Sequence, residues 1–282
     1  MFLNFITWDP SAEIFTIPGI DWPVRWYGLL WALALLASHF VMNRIYKAEG
    51  RTNKQLDTLT LYVILGTIIG ARLGHCLFYG PLWDVFDVQG NLLEEGYLSH
   101  PLNMLKVYEG GLASHGGAIG IVIGTLLYCR KEKEDFLWLF DRLMVVVPLA
   151  SMLIRFGNLM NSEIIGKKTD LAFGFIFVQI DGVPRHPAQL YEAIAYCILF
   201  VIMYWLWKHK RETLGKGFMF GLLLAALFTI RFLVEFVKEN QVEFENDLTY
   251  NMGQLLSIPF VLFGIYMMWR SKKHLPPSSK AN

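Results

Sequence analysis

The sequence predicts an all-α polytopic membrane protein with seven transmembrane helices and a small extracytoplasmic head that contains a short β-hairpin. Of the 282 residues, 54% are hydrophobic and only 17% are charged, whereas soluble domains carry about 25% charged residues. The mean hydropathy is +0.39. So few charges cannot coat a soluble globule, and an aromatic content of 15% is typical of proteins that place Trp and Tyr at bilayer interfaces.

Seven apolar stretches approach the length of about 20 residues that a helix needs to cross the hydrocarbon core of a bilayer. Their hydrophobic residues are continuous rather than alternating, which favours helices over the strands of a membrane barrel. The stretches occupy residues 27–42, 59–79, 112–128, 139–156, 188–207, 217–237 and 252–269.

The basic residues predict the direction of these spans. Fifteen of the 25 lysines and arginines lie in the connections after the first, third, fifth and seventh stretches, and six lie on the other side. Cytoplasmic connections are the ones that are enriched in Lys and Arg. The split therefore predicts an N-terminus outside the membrane and a C-terminus in the cytoplasm. With an even number of spans, the basic-rich connections would no longer all lie on one side of the membrane.

The two long connections on the outer side, 80–111 and 157–187, are predicted to form the head. Residues 173–180 are apolar and have the character of a strand, and Asp181-Gly182 follows them as a turn signal. This pattern predicts the hairpin. We expect one transmembrane domain over 1–270 and a basic cytoplasmic tail over 271–282.

Several classes of function are excluded or disfavoured by composition and motifs. A net charge of +1 excludes a strongly basic nucleic-acid binder. The seven histidines are scattered and the motif HExxH is absent, so no metal is expected. The sequence also has no Walker loop, dinucleotide fingerprint or GxSxG motif, and we expect no cofactor. Binding of a phosphate group would have to rely on guanidinium groups.

Two spans carry glycines at every fourth position. This spacing lets two helix backbones approach closely in lipid, so it predicts helix packing and says nothing about chemistry. The glycines are Gly66, Gly70 and Gly74 in the second span, and Gly116, Gly120 and Gly124 in the third.

Polar residues gather at the end of the fourth span. Arg155 is followed by Asn158, Asn161 and Glu163, and Arg155 and Asn158 share a helical face if the helix continues past Gly157. A centred arginine costs about 2.5–3.5 kcal/mol on insertion scales. The group is either a polar cap at the interface, with Arg155 reaching towards water, or a binding site for an anion.

Two further groups occur at similar depth. Arg231 lies within the sixth span with Glu235 four residues later, so the two residues form either a buried intrahelical ion pair or a second cation with its acidic neighbour at the same cavity. His115 begins the third span beside two glycines. It is either structural or a general base, because histidine exchanges protons near neutral pH.

Arg72 lies inside the second span and is followed by His75. A structural partner such as Asp141 or Glu109 is as compatible with the sequence as a role in ligand binding.

Seven segments resemble the bacterial prolipoprotein diacylglyceryl transferase family over nearly the full length of the chain. They occur in the family's order, which makes the set far more specific than any one match. They are RWYGL at 25–29, GARLG at 70–74, GGLASHGG at 110–117, RFGNLMNSEIIG at 155–166, HPAQLYE at 186–192, RFLVEF at 231–236 and MGQLLSIP at 252–259.

The resemblance implies an activity and its partners. Members of this family transfer the diacylglyceryl group of phosphatidylglycerol to the lipobox cysteine thiol of a prolipoprotein, forming a thioether and releasing glycerol phosphate. The resemblance therefore implies phosphatidylglycerol, prolipoprotein signal peptides with a lipobox cysteine, and membrane lipids as partners. It also implies a location in the bacterial cytoplasmic membrane.

The resemblance also implies roles for individual residues. Arg155 and Arg231 would grip the phosphate, His115 would assist deprotonation of the thiol or orient the head group, and Gly166 would allow the turn after the signature. The catalytic set is His115, Arg155 and Arg231, and the substrate-binding set is Tyr27, Arg72, Asn158, Glu163, Gly166 and Glu235. The chain departs from the usual family residues at Ile154, Leu159 and Leu227.

Without the resemblance, two other classes of function fit the residues. A seven-span transporter for a lipid or small anion would also have an arginine-lined cavity. A non-catalytic membrane receptor would explain seven helices, but not the cluster of Arg, His, Asn and Glu.

Overall fold

The computed structural model describes residues 5–19, 21–106, 110–240 and 250–274. The chain divides into two compact units, one made of Met1–Arg44 with Phe140–Asn282 and the other of Ile45–Leu139. Within the described residues, the α-helices are α1 (Trp26–Ala48), α2 (Asn53–Phe78), α3 (Ser114–Glu132), α4 (Phe136–Met160), α5 (Ala188–Lys210), α6 (Phe218–Val234) and α7 (Met252–Ser271).

The helices confirm the predicted fold class at the coarser level, that of a mostly helical protein with several helices apolar enough to cross a membrane. Of the described helices, α1, α2, α4, α5 and α7 are long and apolar enough to cross a membrane. The helix α6 is apolar but has 17 residues, and α3, with 19 residues, is not among those that meet both conditions. Each predicted span nevertheless coincides with one helix.

Side-chain oxygens cap the first turns of two helices. Thr52 caps α2 through a hydrogen bond from the Gln55 backbone N–H, and the Gln55 side chain accepts in return from the Thr52 N–H. Such a capping box satisfies N–H groups that the first helical turn leaves unpaired. The helix α6 is capped from a distance, because the buried carboxylate of Asp141 accepts from the N–H groups of Gly217 and Phe220 at 2.7 and 2.9 Å.

Short strands form three small sheets in the described residues. They are β1 (Ile6–Trp8), β2 (Glu13–Ile17), β3 (Trp22–Arg25), β4 (Val85–Phe86), β5 (Leu92–Glu94), β6 (Phe175–Phe177) and β7 (Pro184–Arg185). The antiparallel pair β6–β7 confirms the predicted hairpin. Its turn includes Gly182 at φ +66°, a conformation that glycine adopts without strain. The parallel pairing of β1 with β6 was not predicted.

A small apolar cluster fixes the end of α4 in the first unit. Leu159, Phe175 and Phe177 are buried together, and Trp8 packs against them. The indole N–H of Trp8 donates to the Leu159 carbonyl at 2.9 Å. Strand β1 and the hairpin therefore hold the last turn of α4, which carries the polar residues described below.

The second unit is organised by close contact of α2 with α3. A Cβ atom added to Gly70 would lie 2.8 Å from the Gly120 Cα, and one added to Gly74 would lie 2.8 Å from the Gly116 Cα. Real Cβ atoms do not approach other atoms this closely. The prediction that these glycines mark a helix contact is confirmed.

Candidate functional site

The helix α4 continues past Gly157 and ends at Met160, so Arg155 and Asn158 lie on one face. The Nη1 group of Arg155 donates to the Oδ1 atom of Asn158 at 3.0 Å. Asn158 is buried. The condition that the sequence left open, that the helix continues past Gly157, is therefore met.

The chain then turns back so that Glu163 meets this face. Ser162 and Ile164 adopt positive φ angles of 53° and 56°, a region that non-glycine residues occupy only at a cost of about 1–2 kcal/mol. The carboxylate of Glu163 accepts hydrogen bonds from Asn158 Nδ2 at 3.1 Å and from Asn161 Nδ2 at 2.9 Å. The strained turn therefore ties the two asparagines to one exposed carboxylate.

A second carboxylate holds the other side of Arg155. The Nε atom of Arg155 lies 2.6 Å from Glu192 Oε2, and the side chain of Glu192 is completely buried. The other oxygen of Glu192 accepts from Lys238 Nζ at 3.0 Å, and the same ammonium lies 3.0 Å from Glu235 Oε2. An ionic chain thus runs from α4 through α5 to the segment that follows α6.

Tyr27 and Arg231 complete the surroundings of Arg155. Tyr27 packs against Gly157, where an added Cβ atom would lie 2.9 Å from the tyrosine ring. Both Arg155, on α4, and Arg231, on α6, lie within electrostatic range of the buried Tyr196 in the first unit. Arg231 is half-buried.

Glu235 does not pair with Arg231 among the described residues. Its carboxylate pairs with Lys238 instead, and it packs directly on Gly253 at the start of α7. The intrahelical ion pair that the spacing of four residues suggested is therefore wrong in the described structure. The helix α6 ends at Val234, three residues before the predicted end of the span, but Glu235 keeps a helical conformation and donates its N–H to the Arg231 carbonyl. Its carboxylate takes Lys238 as its cation, because the Lys238 ammonium lies 3.0 Å away.

Gly166 serves close packing rather than the turn. Its φ is not in the left-handed region, and the turn is made by Ser162 and Ile164. A Cβ atom on Gly166 would lie 2.5 Å from the His186 Cβ and 2.7 Å from the Val237 carbonyl oxygen. Its backbone N–H donates to the His186 carbonyl at 2.9 Å. Only glycine fits where these three segments meet.

An arginine stabilises the hairpin next to Gly166. Arg185 is buried and donates to Asp181, to Glu239 and to the Gly166 carbonyl. The hydrogen bonds from Arg185 lower the pKa of Asp181 below its usual value. The cluster joins the hairpin to the segment that follows α6.

Arg72 and His115 belong to the second unit. The Arg72 guanidinium donates to four backbone carbonyls, those of Met104, Asn103, Gly110 and Gly111. Because these bonds occupy most of its donors, Arg72 holds the segment before α3 and does not present its guanidinium to a ligand. Asp141, one suggested partner, instead caps α6, and the other, Glu109, lies outside the described residues. His115 lies in the first turn of α3 and is exposed.

Comparison with known proteins decides the family. The family model described as prolipoprotein diacylglyceryl transferase matches residues 13–270. A relative from Bacteroides fragilis named phosphatidylglycerol–prolipoprotein diacylglyceryl transferase is 48% identical over 264 residues, which cover 94% of each chain. The chain belongs to the prolipoprotein diacylglyceryl transferase family. Two other relatives carry the same name: one from Tolumonas auensis, 46% identical over 89% of this chain and 92% of its own, and one from Chloroherpeton thalassium, 40% identical over 96% of each.

One departure from the usual family residues has a structural explanation. Leu159 is 4% exposed and lies in the cluster with Phe175 and Phe177. The two phenylalanines and Trp8 pack around it with aromatic rings. Leucine, which is smaller than the phenylalanine usual in the family at this position, therefore fits this core. Nothing in the structure explains Ile154 or Leu227.

Sequence reasoning did not assign Glu192 and Lys238 to the site of this family member. Glu192 entered the sequence analysis only as the last residue of the matching segment at 186–192. Lys238 entered it only as one of the six basic residues counted on the outer side. Two signals were available: Glu192 is an acid in the first turns of an apolar helix, and Lys238 follows Glu235 at a spacing of three. Neither signal reveals that α5 and the segment after α6 meet at Arg155.

Proposed function

We propose that this protein transfers the sn-1,2-diacylglyceryl group from phosphatidylglycerol to the lipobox cysteine of a prolipoprotein, the first step of bacterial lipoprotein maturation. One observation supports the site more than any other. Arg155 is contacted on two sides, by Glu192 and Asn158, and both Arg155 and Arg231 lie within electrostatic range of Tyr196. Such an arrangement is suited to a phosphodiester, because arginine forks match phosphate oxygens.

The transfer breaks the bond between a glycerol carbon and a phosphate oxygen and forms a bond from sulfur to the same carbon. The thiol proton passes to a base, and the leaving glycerol phosphate gains the charge that the thiolate loses. Arg155 and Arg231 stabilise the charge that develops on this leaving oxygen. Nearby cations also favour the thiolate of the incoming cysteine, whose ordinary pKa is about 8.5.

The remaining first-unit residues shape the pocket. Asn158 accepts a hydrogen bond from the Arg155 guanidinium and donates one to Glu163, which holds Asn158 in place. Tyr27 closes the wall at Gly157. Gly166 allows the segment after the strained turn to lie against His186. A rigid pocket supplies part of the rate by orienting lipid and peptide for attack.

The membrane arrangement is part of the same proposal. Seven spans form one catalytic domain over 1–270, with the N-terminus outside the bacterial cytoplasmic membrane and the head towards the external leaflet. The asymmetry of basic residues supports this orientation. Both substrates are amphiphiles, so they reach the site laterally from the bilayer.

The transfer can be tested with the purified full-length protein in detergent or vesicles. We expect a peptide with a lipobox cysteine to gain the mass of a diacylglyceryl group when phosphatidylglycerol is present. A matched peptide with Cys→Ser should gain nothing. Movement of lipid or anion across vesicles, without any change in the peptide's mass, would favour a transporter.

A change at His115 tests its assignment as the residue that assists thiol deprotonation. The variant His115→Asn keeps a hydrogen-bonding side chain but cannot accept the thiol proton. We expect a lower rate with a changed pH dependence over about pH 6–9. A wild-type rate across that range would reduce His115 to a positioning residue.

A further inference from the structure

The ionic chain beside Arg155 contains two residues to which the transfer reaction gives no role. Glu192 is completely buried, and its two oxygens meet two different cations, Arg155 at 2.6 Å and Lys238 at 3.0 Å. Lys238 is almost as deeply buried, with 4% of its side chain exposed, and is shared between Glu192 and Glu235. Buried charges of this kind are costly to desolvate and are weak evidence for a gain in stability. Their presence calls for another explanation.

Glu192 contacts the Arg155 guanidinium as an ion partner at its Nε edge, while Asn158 accepts a hydrogen bond from Nη1. Contacts at two of its nitrogens restrict the positions that the guanidinium can take, so they favour one direction for its remaining N–H groups. Glu192 therefore orients the fork without being at the face that a phosphate would contact.

Lys238 acts on this orientation from the other side of Glu192. If Glu192 faced Arg155 alone, the carboxylate would neutralise the guanidinium and reduce its attraction for an anion. Sharing the carboxylate with Lys238 offsets this neutralisation.

Glu235 extends the same chain towards α6. Its side chain pairs with Lys238, and its backbone N–H makes a helical hydrogen bond to the Arg231 carbonyl at 3.0 Å. The connection thus runs from Arg155 on α4, through Glu192 on α5 and Lys238, to the last turn of α6, which carries Arg231.

We propose that Glu192 and Lys238 are positioning residues that orient Arg155, with Glu235 acting through Lys238. This inference rests on the proposed transfer reaction. It assigns Glu235 to the support of the phosphate site and not to direct contact with the lipid. A misplacement of about 1 Å in such a site lowers the rate by about 100-fold.

The test compares Lys238→Met, which removes the charge at similar length, with Lys238→Arg, which keeps it. We expect Lys238→Met and Glu192→Gln each to lower kcat by about 10- to 100-fold, with a much smaller change in KM for phosphatidylglycerol. Lys238→Arg should recover most of kcat. The double variant, Glu192→Gln with Lys238→Met, should have a kcat close to that of the less active single variant, because the two residues act as a unit.

Lys167→Met is the matched control. Lys167 lies in the same neighbourhood, but its Nζ donates to the backbone carbonyl of Phe236 rather than to the carboxylates. Its kcat should stay at the wild-type value. Thermal unfolding and the folded fraction of every variant are measured alongside, so that kcat refers to folded protein.

Three results would overturn the inference: wild-type kcat in folded Lys238→Met, no recovery in Lys238→Arg, or single-variant losses that multiply in the double variant. The wild-type protein separates this failure from a failure of the proposed reaction. If wild-type protein transfers no diacylglyceryl group, the reaction itself is wrong. If it does, and Lys238→Met is unimpaired, only the positioning role is wrong.

Discussion

Replacing Arg155 by alanine is expected to lower kcat/KM for transfer by about a thousand-fold or more. The guanidinium is contacted from two sides, by Glu192 and by Asn158. Its loss removes a preorganised donor from the oxygen on which charge develops. Arg155→Lys should recover little activity. An ammonium is a compact point charge and cannot make the separate contacts of a planar guanidinium group. Arg231→Ala should have an effect of the same kind.

The measurement must separate chemistry from folding. Arg155→Ala leaves the buried Glu192 with Lys238 as its remaining cation, so some loss of stability accompanies the loss of rate. Arg155→Lys keeps a positive charge at that place and is the more informative variant. Arg211→Ala, at the end of α5 beside Trp207, controls for removal of an arginine. Full activity of folded Arg155→Lys would contradict the phosphate-clamp assignment.

Features that depend on neighbours in sequence could be predicted. The pairing of Arg155 with Asn158 follows from a spacing of three in a helix. The hairpin follows from an apolar strand before Asp181-Gly182, and the contact of α2 with α3 follows from glycines at every fourth position. Each rule concerns a few adjacent residues, so one sequence is enough to apply it.

Features that depend on distant parts of the chain could not be predicted. Strand β1 pairs with β6 across more than 160 residues, and no local pattern selects that partner. The sequence left Arg72 open between a structural partner and a ligand, and the resemblance placed it in the substrate-binding set. Its guanidinium donates to backbone carbonyls of residues between α2 and α3. Every residue carries a backbone carbonyl, so the sequence does not show which ones an arginine will contact.

Glu235 shows how a local rule can mislead. Four residues after Arg231 is the spacing of a helical ion pair, and the helical hydrogen bond from the Glu235 N–H to the Arg231 carbonyl is present. The Glu235 carboxylate nevertheless pairs with Lys238. Spacing shows which residues can share a helical face, but it does not show which of two cations a carboxylate will contact.

Replacing Gly120 by alanine is expected to lower the free energy of unfolding by about 1–3 kcal/mol, and replacement by leucine should prevent folded protein from accumulating. A Cβ atom at Gly120 would collide with the Gly66 carbonyl oxygen and lie 3.1 Å from the Gly70 Cα. These neighbours are backbone atoms of α2, which cannot rotate away as a side chain can. The two helices would have to separate along their whole contact.

Separation is costly in lipid for a specific reason. Helices in a bilayer gain little from hydrophobic burial, so close van der Waals contact supplies much of their association. The six glycines of α2 and α3 form one continuous contact, and Gly120 meets both Gly66 and Gly70 near its middle. A change there disturbs more of the contact than a change at either end.

Gly28→Ala is the matched control for Gly120→Ala, measured by thermal unfolding of purified protein. Gly28 lies in α1, and an added Cβ atom would meet nothing within 4 Å. Alanine is a better helix former than glycine by about 1 kcal/mol, so Gly28→Ala should be neutral or slightly stabilising. The opposite signs of the two changes isolate the effect of the helix contact from that of helix propensity. If Gly120→Ala unfolds at the same temperature as Gly28→Ala, the close approach of α2 and α3 does not limit stability.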